Sequence, residues 1–157
     1  MNIPTNEDWR SEPSNLDAQC AYEHFFGKSL KESASLFVDN ALYYQEDLMF
    51  MPVACFFFYA HAYIDYLVSD QSEGDADGAS SLFGLVEVRK GDILRAPPYL
   101  RERIRALLQR LANRQAWYDA EPQIYGDFKV KSEAYLSTIE EPNIAPGTYF
   151  RKSNTTS

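Results

Sequence analysis

Lysine and arginine are absent from a long stretch of this 157-residue chain. Neither occurs between Lys31 and Arg89, although ten acidic residues lie in the same stretch. Residues 1–79 therefore carry a formal charge of −11, whereas residues 80–157 carry +3. The acidic residues of the first half therefore repel one another unless the fold brings the two halves together or a partner supplies positive charge. The net charge of −8 also argues against a nucleic-acid binder that works by neutralising phosphates.

Cysteine and histidine are also scarce, with two of each. Cys20 and Cys55 are too few for a disulfide framework, and their apolar neighbours predict reduced core residues. His24 and His61 stand outside any H-E-x-x-H pattern, and C-x-x-C is absent, so we expect no metal site and no cofactor. Neither a phosphate-binding G-x-x-x-x-G-K-[ST] nor a G-x-S-x-G nucleophile motif occurs, so no catalytic site is predicted.

No segment predicts export or membrane insertion. The first residues, MNIPTNEDWRSEP, contain no apolar stretch behind a basic start, so we expect no signal peptide and a cytoplasmic location. The chain from Leu48 to Ala60 lacks charge, but a spanning helix needs about 20 apolar residues. Pro52, His61 and Asp65 interrupt this run, so a buried core helix is the better interpretation.

Hydrophobic periodicity predicts an all-α, single-domain bundle of about five helices. Residues 14–140 form the predicted helical domain, with residues 1–13 as an N-terminal extension and residues 141–157 as a Pro/Gly/Ser/Thr-rich C-terminal tail. Residues 52–68 are apolar nearly all round. A helix with that pattern is surrounded by others, so we expect it at the centre of the bundle.

Local signals place the helix ends. Ser29 and Glu32 form a capping-box pattern at the start of a helix over residues 29–50. Residues 69–81 lack periodicity and are rich in turn formers, which predicts a loop. Further helices are predicted over residues 16–26, 99–117 and 128–140, the last with Asp127 as its N-cap. Residues 82–94 are ambiguous, because LFGLVEV fits a strand as well as a helix turn, and a helix is the favoured interpretation.

Five arginines flank the apolar stripe of the predicted helix 99–117: Arg101, Arg103, Arg105, Arg110 and Arg114. We expect at least two of them to pair with carboxylates in residues 17–65, which have few basic neighbours of their own. In the alternative, Arg103, Arg110 and Arg114 bind an anionic ligand such as a nucleotide, because guanidinium groups suit phosphate.

Two other clusters have both a functional and a structural interpretation. His61 and Asp65 are four residues apart and share a helix face, as in general-base and metal sites. A buried polar pair satisfied within the helix is the favoured interpretation. The run Glu73–Gly78 is similar to a calcium loop, but Gly84 occupies the position of the bidentate glutamate. A solvated acidic linker is favoured there.

The stretches KESASLFVDNALYYQED and LMFMPVACFFFYAHAYIDYLVS resemble the first two long helices of the HEPN superfamily. These all-α domains are common in prokaryotic defence and toxin–antitoxin systems. The later stretch APPYLRERIRALLQRLANRQAWYDAEP resembles the module that leads into the family's R-x(4–6)-H ribonuclease motif. Arg114 matches the motif arginine, but no histidine occurs after His61. The resemblance therefore implies a non-catalytic member.

The leading hypothesis is a non-enzymatic acidic protein that binds a macromolecular partner, of the antitoxin, immunity or inhibitor type. We expect that partner to be a basic protein rather than nucleic acid or a membrane, and a homodimer stays open. The alternative is the anionic-ligand site described above. The acids expected to face the partner are Asp39, Glu46, Asp47, Asp70, Glu73, Asp75 and Asp77.

Overall fold

The structure is a computed structural model that describes residues 1–140. The predicted C-terminal tail, residues 141–157, lies outside the described residues. The described part is an all-α helical bundle, as predicted. Six of its seven helices have ten residues or more, against a prediction of about five helices. They are α1 (Leu16–Phe25), α2 (Leu30–Phe50), α3 (Val53–Val68), α4 (Ala76–Arg95), α5 (Pro98–Asn113), α6 (Pro122–Tyr125) and α7 (Phe128–Ile139).

The ends of α1 and α2 follow the capping signals in the sequence. Ser29 Oγ accepts a hydrogen bond from Glu32 N at 3.1 Å, and Glu32 Oε2 accepts one from Ser29 N at 2.8 Å. The predicted capping box is therefore present. Gly27 follows α1 with a φ of +75°, a conformation that glycine adopts without steric cost.

The central position of α3 follows from its apolar sequence. Eleven of its 16 residues are buried, the largest buried share of any helix in the described residues, and it packs against α2, α4 and α5. Tyr59 OH donates to Phe25 O at 2.8 Å, and Tyr63 OH donates to Gly78 O. The rings thus fill the core while their hydroxyls satisfy carbonyls of α1 and α4. In residues 1–140, no helix is long and apolar enough to cross a membrane.

The prediction of a loop over residues 69–81 is wrong in its second half, because α4 begins at Ala76. Asp75 caps this helix, since its Oδ1 accepts a hydrogen bond from Gly78 N at 2.9 Å. Gly78 also allows α4 to approach α2, because a Cβ there would lie 2.9 Å from Ala41 Cβ. Residues that looked like a solvated linker therefore start a helix. The ambiguous segment that follows them is helical, as expected.

The C-terminal half contains the predicted amphipathic helix and its neighbour. α5 ends at Asn113, four residues before its predicted end, and packs against α7. Asp127 caps α7, as predicted, because its Oδ1 accepts from Lys129 N at 2.8 Å. The predicted stripe of α5 is buried and consists of Leu100, Ile104, Leu107, Leu108 and Leu111.

The N-terminal extension contains no helix but packs on the bundle through Trp9. This side chain is 5% exposed, and its ring lies 5.7 Å from the ring of Tyr22 and 5.9 Å from that of Tyr59. Cys55 is buried, as predicted, whereas Cys20 is exposed. The prediction of two core cysteines is wrong for Cys20 because α1 buries a stripe of other residues: Ala18, Ala21 and Phe25.

Candidate partner-binding surface

A kink in α2 lies beside a cleft on the surface of the bundle. Asn40 is non-helical, with φ of −159° and ψ of 86°, and its Oδ1 accepts a hydrogen bond from Tyr43 N at 3.0 Å. Asn40 therefore caps the second part of α2. Next to it, a depression of about 420 Å³ separates α2 from the segment that leads into α4. Four carboxylates line this acidic cleft: Asp39, Glu73, Asp75 and Asp77.

Tyrosines hold two of the four cleft carboxylates in place. Tyr66 OH donates to Asp75 Oδ2 at 2.6 Å, and Tyr125 OH donates to Asp77 Oδ1 at 2.8 Å. Burial and the bond to Asp75 raise the pKa of Tyr66 well above its usual value. The bond to Asp77 likewise raises the pKa of Tyr125. Both hydroxyls therefore remain neutral donors, which position the carboxylates without supplying any counter-charge.

The cleft carboxylates have no cationic partner in the described residues, and apolar side chains also line the cleft. In residues 1–140, none of its four carboxylates forms an ion pair with lysine, arginine or histidine. Asp39 and Glu73 are exposed. Val38 and Leu42 line the same cleft and are 44% and 49% exposed. Within the described part of the chain, no group of three or more His, Cys, Asp or Glu residues could hold a metal ion. The cleft is thus a negatively charged surface with apolar walls.

Two other predicted partner-binding acids are exposed but lie outside the acidic cleft. Glu46 is on α2, beyond the kink, and Asp70 begins a short 3-10 helix, Asp70–Ser72, that follows α3. The structure therefore brings together four of the seven acids that were expected to face a partner.

The prediction that Asp47 faces outward is wrong. Its side chain is 11% exposed, and its Oδ2 lies 2.6 Å from Nδ1 of His24 in α1. Burial raises the pKa of Asp47, and the hydrogen bond with His24 partly offsets this effect. Asp47 precedes the buried Leu48 and lies on the side of α2 that α1 covers. It stabilises the contact between α1 and α2 and is not available to a partner.

The prediction that His61 and Asp65 form a buried pair satisfied within their own helix is wrong, because both side chains bind Arg103 of α5. Its Nη1 donates to His61 Nδ1 at 2.8 Å, and its Nη2 donates to Asp65 Oδ1 at 2.6 Å. His61 is buried, whereas the Asp65 side chain is 45% exposed. An arginine cannot accept a hydrogen bond, so Nδ1 is the acceptor and the imidazole is neutral. Burial and the charge of Arg103 lower the pKa of His61, in agreement with this assignment.

The arginines of α5 make fewer contacts with the acidic half than expected. In residues 1–140, Arg103–Asp65 is the one ion pair between them and carboxylates of residues 17–65, where at least two were expected. Arg101, Arg105 and Arg110 each donate a hydrogen bond within their own half of the chain. Arg105 Nε donates to Glu102 Oε2 at 3.2 Å, and Arg101 Nη1 donates to Leu94 O at 3.0 Å.

Arg103, Arg110 and Arg114 do not share an anion site in the structure. Arg103 is held by Asp65, as described above. Arg110 Nε donates to Tyr118 OH at 3.1 Å, and its Cζ lies 5.3 Å from the centre of the Trp117 ring. Arg114 is exposed at the C-cap of α5. Because two of the three guanidinium groups are engaged inside the protein, these contacts do not favour the anionic-ligand hypothesis.

Comparisons with protein-family models, with curated proteins and with solved structures found no match. The HEPN-like resemblance therefore stays a prediction. The acidic cleft and its surroundings are the observations on which a function can be proposed.

Proposed function

We propose that this is a non-enzymatic interaction protein that binds a basic protein partner through the acidic cleft. One observation carries the proposal. The kink of α2 and the start of α4 bring four carboxylates together, and no cation pairs with them in residues 1–140. Charge that is left uncompensated at a concave surface favours an oppositely charged partner.

The composition of the cleft suits lysine and arginine side chains. Their methylene stems can pack on Val38 and Leu42 while their charged ends reach Asp39 and Glu73. The field of the carboxylates also extends over a Debye length, about 8–10 Å at ordinary ionic strength. Such a field steers a basic surface to the cleft and speeds its association, so binding should weaken as salt rises.

Antitoxin, immunity and inhibitor proteins are the classes that this surface fits best. A compact acidic surface can cover the basic active-site cleft of a nuclease. The HEPN-like resemblance points to the same setting, and the cytoplasm is the compartment we propose. No histidine follows Arg114 in a position to complete a ribonuclease motif. We therefore expect the protein not to cleave RNA itself.

Affinity capture from host lysate at low salt tests the proposal. The cleft variant carries Asp39→Lys and Glu73→Lys, two exposed side chains without ion pairs in the described residues. The control variant carries Glu23→Lys and Glu133→Lys, which change the net charge equally on α1 and α7, away from the cleft. We expect wild type and the control variant to capture the same basic protein, and we expect the cleft variant not to capture it. A protein retained equally by all three would contradict the role of the cleft.

Incubation of the purified protein with single-stranded RNA tests the non-enzymatic part separately. We expect intact RNA. Cleavage that survives further purification and is lost on Arg114→Ala would overturn the proposal and favour a catalytic HEPN-like domain.

A further inference from the structure

A second cavity lies between α3 and the start of α5, and none of the acids that line the acidic cleft lines it. Its volume is about 330 Å³, at the lower end of the range for small-molecule sites. The first two residues of the chain and Pro97 contribute to its wall. The rest of the wall is formed by Ala54, Phe57, Phe58, His61, Tyr99 and Leu100, so one imidazole lies among apolar and aromatic side chains.

Neighbouring side chains fix the orientation of His61 in this cavity. Its Nδ1 is occupied by Nη1 of Arg103, which is in turn held by Asp65. Tyr99 stacks on the imidazole, with ring centres 5.6 Å apart and an angle of 23° between the planes. Arg103 and Asp65 do not line the cavity. What His61 offers to the cavity is therefore the part of its ring away from Nδ1.

The free polar atom of that ring is a hydrogen-bond donor. Since Nδ1 accepts from Arg103, the proton of the neutral imidazole is on Nε2. No residue in the described part of the chain accepts a hydrogen bond from Nε2. Among the described residues, the fully buried side-chain atoms without a hydrogen-bond partner are Trp9 Nε1, Gln45 Oε1 and Ser132 Oγ. Nε2 of His61 also lacks a partner but is not one of these atoms, so it is not fully buried, although His61 as a whole is 2% exposed. The small exposed area of His61 therefore includes Nε2.

We propose that this cavity binds an uncharged, planar aromatic molecule that presents one hydrogen-bond acceptor to Nε2 of His61. The rings of Phe57, Phe58 and Tyr99 supply the apolar contact that a flat ligand needs. No side chain that lines the cavity offers an anion a charged partner, because Arg103 lies outside the lining and is engaged by Asp65. A cation is disfavoured because no carboxylate lines the cavity. A donor left without a partner in apolar surroundings gives specificity for an acceptor at one position of the ligand.

Two probes of the same shape test this inference by protein-observed NMR at about pH 8, where imidazole is neutral. Isoquinoline carries a ring nitrogen that can accept the hydrogen bond, and naphthalene does not. We expect saturable shifts at residues that line the cavity, and isoquinoline should bind roughly three- to tenfold more tightly than naphthalene, as one net hydrogen bond would give. Equal affinity of the two probes, or no saturable binding of either, would overturn the proposal.

Two variants separate the donor from the cavity itself. His61→Phe keeps a ring but removes the donor, so the preference for isoquinoline should disappear while naphthalene still binds. Ala54→Leu leaves His61 and its contacts intact but narrows the cavity, so both probes should bind at least about tenfold more weakly. If Ala54→Leu binds both probes as wild type does, the cavity is not the site. The cleft variant Asp39→Lys/Glu73→Lys is the control and should bind both probes as wild type does.

Discussion

Replacement of Arg89 by methionine should destabilise the protein more than any surface change of equal charge. Arg89 is 7% exposed on α4 and binds the end of α2, where backbone carbonyls have no helical partner. Its Nε donates to Leu48 O at 2.9 Å, and its Nη2 donates to Met51 O. Its Nη1 donates to Asp92 Oδ2 at 2.9 Å, and its Cζ lies 4.8 Å from the centre of the Phe56 ring.

The expected loss follows from what Arg89→Met leaves behind. Two carbonyls at the negative end of the α2 dipole lose a charged donor, and Asp92, 17% exposed, loses its buried partner. Removing one member of a buried pair typically costs about 3–5 kcal/mol. Across a chain of this length, such a loss lowers the melting temperature by roughly 6–20 °C.

The matched control is Arg95→Met. Arg95 Nη2 binds the same carboxylate, Asp92 Oδ1, at 3.0 Å, but its side chain is 75% exposed. Because both variants remove one positive charge, a comparison between them cancels the effect of net charge. Urea unfolding followed by far-UV circular dichroism should show a change of at most about 0.5 kcal/mol for Arg95→Met. A loss below about 1 kcal/mol for Arg89→Met, or equal losses for both variants, would refute the reasoning.

Three further changes test other parts of the structure. Asn40→Ala removes the cap that restarts α2 and should lower the free energy of unfolding by about 1 kcal/mol in urea, whereas a gain would contradict the capping role. Gly78→Ala should cost roughly 1–3 kcal/mol, because its Cβ would clash with Asp75 Oδ2 and lie 2.9 Å from Ala41 Cβ. Gly91→Ala, on the open side of the same helix, should stabilise by about 0.5–1 kcal/mol, and the opposite order would contradict the packing. Because folding lowers the pKa of His61, the stability that the neutral ring contributes should be present above about pH 6.5 and be lost as pH falls through the folded-state pKa. His61→Gln should reduce that loss in unfolding experiments at several pH values, and an unchanged pH dependence would show that His61 is not its source.

Helices are predicted correctly from the sequence where capping residues and an apolar stripe indicate the same segment. The capping box at Ser29, the buried stripe of α5 and the cap at Asp127 all appear as predicted. The start of α4 was missed because Asp, Gly and Ser mark loops and helix caps alike. What decides between them is contact with other helices, such as the hydrogen bond from Tyr63 to Gly78 O.

The acidic cleft could be predicted only in part. Charge segregation identified its four acids, but their convergence depends on the kink at Asn40 and on the path of the chain between α3 and α4. An asparagine in the middle of an amphipathic pattern is itself a capping signal and could have revealed the kink. The inward position of Asp47 had no such signal, because the sequence of α2 does not encode where α1 packs.

The most direct test of the central claim is the affinity of the captured basic partner, measured by fluorescence anisotropy at about 50 mM and about 300 mM salt. We expect wild type and the Glu23→Lys/Glu133→Lys control to bind tightly at low salt and to lose affinity as charges are screened. The Asp39→Lys/Glu73→Lys variant should bind about tenfold or more weakly at low salt and depend less on salt. Wild-type affinity of that variant at low salt, or salt-independent binding by wild type, would contradict the account.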